Sequence, residues 1–422
     1  MRIGNIKVRI LGLFMTMGLM SMVLFGLACG GGDPKPTALP VPTSSGGASF
    51  APTMTPVPVE AVEEVVEEVD GYMEKETIMF HDGQWGSNWV HLAIVRYILE
   101  NGYEYDTQEV QGTTGTMKLT LIEGDVHVNM ETWRMNIPEW YNEHTASGAL
   151  IDLAGTTDPQ EMLPSGTKGQ TIAVAGQGFY VPRYMVEGDA ARGIEATAPD
   201  LKHVDDLAQY KDLFADPNDP SKGAIYNCIL GWECQKIIRA KAHAYGLYDD
   251  FNIIEPGGSA ALKAAVVGPY EAGEPFVSYY WQPTDVVNLR DLIMLEEPKW
   301  NKECDDAISA AVAEEPYESE IGCGFPIGDA HTTVNADFYK RQPHIVEFLA
   351  NYYVAPKPLA EAESYKMAAD VEWIDVAIKY LRENKPVWSQ WILDSNADQT
   401  LAADIIAKVD AQLAKEAATK EA

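Results

Sequence analysis

Three of the ten tryptophans lie where side chains of an α/β protein face a cleft. Trp133 follows a predicted strand, Trp232 lies in a turn that leads into a predicted helix, and Trp281 ends a predicted strand before Gln282-Pro283. Aromatic rings attract a cationic group through their negative faces. The three tryptophans are therefore candidates for a cage around such a group, the alternative being ordinary burial of large aromatic side chains.

The cage alone does not account for tight binding. Each desolvated cation–π contact contributes roughly 1 to 2 kcal/mol, so three faces give about 3 to 6 kcal/mol. Micromolar affinity requires about 8 kcal/mol. We therefore expect the protein to contact the other end of the ligand as well.

The sequence carries no recognisable catalytic motif. It has no G-x-S-x-G, no H-E-x-x-H and no Walker loop, and its eight histidines are scattered without forming a metal-ligand pair. We predict that the protein is not an enzyme and that it uses no metal and no cofactor. A secreted hydrolase and a sensory binding module remain as alternatives from other functional classes.

Length and charge restrict the architecture and the partners. The chain has 422 residues, which favours two lobes over a single core. It carries 31 basic and 63 acidic residues, a formal net charge of −32, and no basic stripe. Such a surface repels phosphate backbones, so nucleic acid is not an expected partner.

The first 75 residues predict export and attachment to a membrane. Residues 1–28 have a basic start and an uncharged stretch that ends in small residues, the layout of a signal peptide. Cys29 follows in a lipobox-like context, with Gly26 where leucine is commonest. An uncleaved membrane helix or simple secretion are the alternatives. Residues 29–75 are rich in Gly, Pro, Ser, Thr and acids and are predicted to form a disordered tether, so we expect an extracytoplasmic, lipid-anchored protein.

Four further cysteines agree with export. Cys228, Cys234, Cys304 and Cys323 are an even number, available for two disulfides in an oxidising compartment. A zinc site is the alternative, but the C-x5-C spacing lacks the usual two to four intervening residues and no histidine pair lies nearby.

Strands and helices alternate after residue 76. The pattern predicts a strand at 77–80, a helix that begins after Ser87 or Asn88 as cap and stops at Asn101-Gly102, and a helix that ends near Gly124. Such alternation favours a mostly parallel sheet with ligands at the carboxyl ends of its strands.

Two lobes joined by two chain crossings explain the rest of the pattern. We place the crossings near Gly178 and near Pro326. Lobe I then comprises residues 76–178 and 327–422, and lobe II residues 179–326. An amphipathic helix is predicted from about Leu401 to the terminus.

Three motifs follow one another along the chain: GDVHVNMETW, which ends at Trp133, the C-x-x-G-W-x-C loop at 228–234, and the Y-x-W-x-P segment at 279–283. In this order they resemble the motifs of the glycine betaine and proline betaine binding proteins of ABC importers. The segments GFYVPRYM and GCGFPIGDAH are supporting matches. The resemblance extends from about Thr77 to Trp388, and the cysteine–tryptophan loop is its most specific part.

The resemblance implies a periplasmic-binding-protein-like fold of type II, with two Rossmann-like lobes, a ligand cleft between them and two hinge crossings. It implies a cage of Trp133, Trp232 and Trp281, and a disulfide between Cys228 and Cys234. The backbone N–H groups of Glu233 and Cys234 would hold a ligand carboxylate, as the unpaired amides at a helix start can. The implied partners are a quaternary ammonium ligand and an ABC permease with its ATPase, and we expect a monomer.

Two departures from the family pattern affect the carboxylate end. Ile137 and Thr284 stand where family members often have a histidine. Arg134 or Asn136 are candidate replacements. If the ligand has no carboxylate, choline, carnitine or a sulfonium analogue become alternatives to a betaine.

Further aromatic residues are candidates for the rim of the site. Trp85 in the first loop is expected to reach the cleft, whereas Trp89 is expected to pack at a helix start. Tyr180, Tyr279 and Tyr280 either line the site or pack against the hinge.

Overall fold

The structure is a computed structural model that describes residues 75–421. The predicted signal peptide, Cys29 and all but the last residue of the predicted tether lie outside the described residues. Within residues 75–421, no helix is both long and apolar enough to cross a bilayer.

The described residues contain eleven strands. They are β1 (Ile78–Asp82), β2 (Thr107–Gln111), β3 (Val128–Thr132), β4 (Leu150–Asp152), β5 (Gln170–Pro182), β6 (Ala215–Asp216), β7 (Asp219–Tyr226), β8 (Phe251–Ile254), β9 (Ser278–Gln282), β10 (Leu292–Met294) and β11 (Gly328–Asn335).

Fourteen α-helices and three 3-10 helices complete the same part of the chain. The α-helices are α1 (Gly86–Asn101), α2 (Thr114–Glu123), α3 (Pro138–Ser147), α4 (Arg183–Glu187), α5 (Glu233–Ala244), α6 (Ser259–Ala272), α7 (Asp285–Leu289), α8 (Lys302–Ala311), α9 (Ala336–Arg341), α10 (Pro343–Asn351), α11 (Pro356–Ala369), α12 (Trp373–Glu383), α13 (Lys385–Ser395) and α14 (Gln399–Glu421). The 3-10 helices are Arg134–Asn136, Val204–Phe214 and Leu247–Asp249.

The strands form a mixed sheet in the order β2-β1-β3-β11-β5-β9-β7-β6. Strand β1 is parallel to β2 and β3, and β7 is parallel to β8 and β9. Strands β5 and β11 are antiparallel to each other and to their other neighbours. The prediction of a mostly parallel sheet is therefore wrong, because β5 and β11 pair antiparallel with every neighbour, as β6 does with β7.

Strand β5 links the two halves of the sheet. Its first half pairs with β11, as in Ala175 with Gly328, and its second half pairs with β9, as in Gly178 with Tyr280. One continuous strand of 13 residues therefore passes through the position predicted for the first crossing.

Two large hydrophobic cores lie on either side of this switch in β5. The first core takes its buried residues from 78–175 and 330–413, and the second takes them from 179–295. These are the cores that a division into lobe I (76–178 with 327–422) and lobe II (179–326) requires, and the lobe boundaries themselves stay a prediction.

The helix ends follow local chemistry, with one exception. Helix α2 starts after Thr113, whose hydroxyl accepts from the N–H of Thr116, and ends at Gly124 in the left-handed conformation (φ 87°), as predicted. Helix α1 ends before Gly102, also as predicted, but its N-cap is Trp85. Asn88 does not cap this helix, because its Oδ1 accepts from the N–H of Gly83 instead.

Both predicted disulfides are present. Cys228 is bonded to Cys234, and Cys304 in α8 is bonded to Cys323 before β11. In residues 75–421, no cluster of three or more His, Cys, Asp or Glu side chains is arranged to hold a metal ion.

Candidate ligand-binding site

Four indole rings line one cavity that receives residues from both core regions. They belong to Trp85, Trp133, Trp232 and Trp281. We call this space the tryptophan cavity. Trp232 and Trp281 belong to the second core, whereas Trp133 packs against both.

Neighbouring indoles stand nearly perpendicular to one another. The ring centroids of Trp85 and Trp232 are 5.5 Å apart with an interplanar angle of 87°, and those of Trp232 and Trp281 are 5.5 Å apart at 85°. Such edge-to-face contacts are a favourable geometry for aromatic pairs. Since adjacent rings differ in orientation by almost a right angle, they form walls and not a flat stack.

Each tryptophan comes from the end of a regular element or from next to one. Trp133 directly follows β3, Trp281 is the penultimate residue of β9, and Trp85 and Trp232 are the N-caps of α1 and α5. These are the positions at which an α/β sheet presents side chains to a cleft.

The loop between β1 and α1 fixes Trp85. The Oδ1 atom of Asp82 accepts from the N–H of Gln84 at 2.9 Å and from Nε1 of Trp89 at 2.8 Å. A Cβ atom at Gly83 would lie 2.1 Å from the ring of Trp85, so only glycine fits beside this indole. Trp89 itself packs against Trp373, 5.4 Å between ring centroids.

The cysteine loop, residues 228–234, is held from both ends. The side chain of Asn227 accepts from the N–H of Cys228 at 2.6 Å and donates to the carbonyl of Gln235 at 3.1 Å. The disulfide between Cys228 and Cys234 closes the same loop. Trp232 therefore projects from a loop with little freedom to move.

The cysteine loop also contacts the loops of the first core region. Nε1 of Trp232 donates to the carbonyl of Gly83 at 3.0 Å, and the N–H of Thr114 donates to the carbonyl of Gly231 at 3.0 Å. Gly231 has φ +98°, and a Cβ atom there would lie 2.6 Å from Thr113. These contacts close one side of the tryptophan cavity.

A buried carboxylate anchors two of the indoles. Oε2 of Glu131 accepts from Nε1 of Trp85 at 2.8 Å and from Nε1 of Trp133 at 3.1 Å, and the residue is 1% exposed. Burial raises the pKa of Glu131 from 4.5 to about 7, although hydrogen bonds from Trp85, Ser87 and Trp133 partly oppose this change.

The structure brings most of the residues predicted from sequence to this cavity. Trp85, Asn136, Glu233 and Cys234 line it together with Trp133, Trp232 and Trp281. Tyr279 lines it as well.

Three predicted residues lie elsewhere. Arg134 is fully buried, where its guanidinium pairs with Asp329 and donates to the carbonyl of Glu161. It is therefore not at the carboxylate end of the site. Tyr280 stacks on Trp281 from outside the cavity lining, at 4.8 Å between ring centroids, and Tyr180 is buried in the second core.

The positions where histidines were expected serve other purposes. Ile137 contributes an apolar wall to the cavity. Thr284 is the N-cap of α7, and its hydroxyl accepts from the N–H of Val287 at 3.2 Å. At the start of α5, the N–H of Glu233 donates to the hydroxyl of Thr114 at 3.3 Å.

Several lining residues were missed by sequence reasoning. They are His81, Asn129, Glu131 and Gln177. A signal existed for two of them, because Asn129, Glu131 and Trp133 are spaced by two residues along one strand and so share a face. Gln177 exchanges hydrogen bonds with the amide of Asn136 and accepts from the hydroxyl of Tyr279. No local sequence pattern predicts that Gln177 lines the cavity.

Two α/β cores, a strand that passes between them and an aromatic cavity lined from both are the arrangement of a periplasmic-binding-protein-like fold of type II. Residues 76–383 match the substrate-binding domain of ABC-type glycine betaine transport systems. The chain belongs to this family.

Comparison with individual proteins agrees with that assignment. The glycine betaine/proline betaine-binding periplasmic protein of Escherichia coli K12 is 27% identical over 187 residues, which cover 41% of this chain and 53% of that protein. The chain thus matches about half the length of that relative.

Solved structures resemble the fold. An ABC-transporter choline-binding protein in complex with choline superposes with a TM-score of 0.57 at 18% identity, covering 80% of this chain and 98% of that one. A glycine betaine/L-proline-binding protein from Borrelia burgdorferi gives 0.56 at 13% identity, with 78% and 100% covered. Lactococcal OpuAC, closed around glycine betaine, gives 0.53 at 13% identity, with 75% and 99% covered.

Proposed function

We propose that this protein is the extracytoplasmic substrate-binding component of an ABC importer and that it captures a quaternary ammonium osmolyte in the tryptophan cavity. The observation that carries the proposal is the set of four indoles around one cavity, two of them anchored by a buried carboxylate. Membership of a family of transport-system binding domains supports delivery to a permease and not catalysis.

The cage consists of Trp133, Trp232 and Trp281, with Trp85 as a fourth wall. Four aromatic faces at roughly 1 to 2 kcal/mol each give about 4 to 8 kcal/mol. This approaches the roughly 8 kcal/mol of micromolar binding. The fourth indole therefore reduces what the other end of the ligand has to contribute.

The candidate ligands differ in the group that lies opposite the quaternary ammonium. Glycine betaine and proline betaine carry a carboxylate, which the amides of Glu233 and Cys234 at the start of α5 are suited to receive. Choline has a hydroxyl group there, and carnitine has both groups. Choline is the candidate that this site favours where the amides are not free, and the N–H of Glu233 already has the Thr114 hydroxyl as acceptor.

We further propose that Cys29 carries a lipid and that the chain works as a monomer beside the membrane. The tether of residues 29–75 would then hold the binding domain near its permease. Closure of the two predicted lobes around the ligand would present the loaded form to that partner.

Calorimetric titration of the purified protein with glycine betaine, proline betaine, choline and carnitine tests the proposal. We expect binding of at least one, and a loss of at least tenfold in affinity for each of Trp133→Ala, Trp232→Ala and Trp281→Ala. Trp300→Ala is the matched control, since Trp300 is 37% exposed and does not line the cavity. Unchanged affinity in all three cage variants would rule out the cage.

A further inference from the structure

The Glu131 carboxylate lies against the cage with both of its oxygens buried. Oε2 holds the indoles of Trp85 and Trp133, and the hydroxyl of Ser87 is a third hydrogen-bonding group beside the carboxylate, whereas Oε1 makes no hydrogen bond of good geometry to the described residues. The nearest basic atom to Oε1 is Nε2 of His91, at 3.7 Å. Burying a carboxylate is costly unless a cation or several donors compensate for its lost hydration.

The groups that face Glu131 from neighbouring elements do not supply that cation. Burial lowers the pKa of His91 in α1 to about 3, so its ring is neutral. Tyr352 after α10, whose hydroxyl bonds to Nδ1 of His91 at 2.7 Å, and Glu363 in α11 both have their pKa raised by burial. None of these groups, nor the Ser87 hydroxyl, brings a positive charge to Glu131 at neutral pH.

The cavity side does not supply a cation either. Among the described residues that line the cavity there is no Lys and no Arg, and burial lowers the pKa of His81 to about 4. The second acid of the lining, Glu233, differs from Glu131, because Lys118 lies 3.9 Å and Lys236 3.4 Å from its carboxylate. Of these two carboxylates, Glu131 is the one that has no such cation.

We propose that Glu131 is the charge-selecting residue of the tryptophan cavity, positioning Trp85 and Trp133 and making the site prefer a quaternary ammonium ligand of net positive charge to a zwitterion. The inference rests on the proposed function and names the ligand class of the same site. A bound cation takes the place of the missing counter-ion. A zwitterion brings its own carboxylate into a cavity of low dielectric, where it repels that of Glu131.

The hydrogen bonds to Glu131 add to this preference. An indole that donates its N–H to a carboxylate makes a charge-assisted bond, which is stronger than a neutral one and fixes the ring. The negative charge beside the rings also increases their attraction for a cation. The carboxylate thus acts on the ligand through the indoles of Trp85 and Trp133 as well as directly.

The arrangement links cation binding to proton release. The pKa of Glu131 is about 7 without ligand, and a bound cation lowers it because an opposite charge favours the ionised form. Choline affinity should therefore rise as pH increases through about 7 and level off above it.

The test compares choline with glycine betaine by calorimetry at pH 8, where Glu131 is ionised. For the unmodified protein we expect tighter binding of choline. In Glu131→Gln, which keeps an oxygen for the indole N–H groups, we expect choline affinity to fall at least tenfold and glycine betaine affinity to change less than threefold. A choline-to-betaine ratio that stays the same in this variant overturns the proposal.

Glu363→Gln is the matched control, because it replaces another buried acid near Glu131 that does not line the cavity. It should leave the affinity ratio within twofold, and a shift as large as that of Glu131→Gln would contradict a special role for Glu131. If none of glycine betaine, proline betaine, choline and carnitine binds the unmodified protein, the proposed function fails and this inference fails with it.

A second measurement needs no variant. Choline titrations at pH 6.5 in phosphate and in a buffer of large ionisation enthalpy report how many protons are released on binding. We expect a fraction of one proton for choline and less for glycine betaine. No release with choline, despite binding, overturns the proposal.

Discussion

Two buried ionic environments flank Trp133, and they differ in how their charges are compensated. Glu131 lies on one side, with two indole donors. Among the described residues, the basic group within ion-pair distance of Glu131 is the ring of His91, and this ring is neutral. Arg134 lies on the other, paired with the buried carboxylate of Asp329.

The Arg134 side is a closed network of opposite charges. The ring of His331 bridges two carboxylates, with Nδ1 2.9 Å from Asp152 and Nε2 3.1 Å from Asp329. Burial acts to lower the pKa of His331, but its bonds to Asp152 and Asp329 outweigh this effect and raise it. Burial acts to raise the pKa of Asp329, but His331 and Arg134 outweigh it and lower it.

The difference teaches that burial alone does not tell the role of a charged residue. In the Arg134 network each buried charge has a partner of opposite charge within the protein, so the network stabilises the fold beneath the cage. The charge of Glu131 has no such partner, so a charged ligand that enters the cavity changes the energy of this carboxylate. Two residues three positions apart therefore serve structure and recognition separately.

Breaking the Arg134 network should have the largest effect. Arg134→Met leaves Asp329 buried without its guanidinium partner, and we expect a loss of about 3 to 5 kcal/mol in the free energy of unfolding. Urea denaturation measures it. Arg183→Met, which removes an exposed arginine paired with Asp291, is the control and should cost less than about 1 kcal/mol. Equal losses in the two variants would contradict the structural role of the network.

The pH dependence of stability should separate the two environments. Because the pKa of Glu131 is raised from 4.5 to about 7 in the folded state, the free energy of unfolding should fall as pH rises across that window, by roughly 3 kcal/mol. In Glu131→Gln the share of the fall that comes from Glu131 should disappear, while Glu363, whose pKa burial also raises, keeps its own share. The fall can be followed by denaturation at pH 5, 6, 7 and 8.

His331 contributes to the free energy of unfolding as well, and this contribution is lost at higher pH. Its raised pKa gives stability that is fully present below 6.5 and is lost as pH rises through the folded value. In His331→Gln the later fall should be absent while the earlier one persists. A single fall that both variants remove would show that the two environments are not independent.

The disulfides extend the same contrast between structure and recognition. Cys304 and Cys323 are 19 residues apart and Cys228 and Cys234 are 6 apart, so the chain-entropy argument gives about 3 and about 2 kcal/mol. We expect the double serine variant of Cys304 and Cys323 to lose more stability but keep its ligand affinity. The double serine variant of Cys228 and Cys234 should lose ligand affinity, because the loop that this disulfide closes carries Trp232. Thermal denaturation measures stability and calorimetry measures affinity. Weaker binding only in the variant of Cys304 and Cys323 would contradict the role in recognition given to the other disulfide.

The smallest effect is expected at the back of the cage. Trp281 is supported by the stacked ring of Tyr280, whereas Trp133 is supported by the hydrogen bond to Glu131. Tyr280→Leu removes an aromatic contact of about 0.5 to 1.5 kcal/mol, so ligand affinity should fall about three- to tenfold without a change in the pH dependence of binding. Tyr97→Leu, remote from the cavity in the first core, is the control. An altered pH profile in Tyr280→Leu would contradict the separation of the two supports.

Local patterns in the sequence predicted the elements that carry the cage. Gly124 and Gly102 marked the ends of helices, and the cysteine loop marked the start of α5, because capping and turn chemistry depend on neighbouring residues. The fold class and the two disulfides were predicted correctly from motifs. The placement of Trp133, Trp232 and Trp281 around one ligand remains a prediction that binding experiments must test.

Long-range pairing could not be predicted in the same way. Arg134 seemed available to a ligand because it follows Trp133, yet its partner Asp329 lies 195 positions later in the chain. The antiparallel course of β5 and β11 was missed for the same reason, since strand direction depends on partners distant in sequence. Nothing in the local pattern around Glu131 indicated how few charges surround it.

The hydrogen bond from Trp232 to the carbonyl of Gly83 has a consequence for size discrimination. One face of this indole borders the cavity, while its N–H joins the cysteine loop to the loop after β1. A ligand with ethyl groups in place of methyl groups would keep its charge but displace the ring and lengthen this 3.0 Å bond. Bulky analogues would thus bind more weakly because they break the hydrogen bond between Trp232 and Gly83, even where the aromatic faces still attract them.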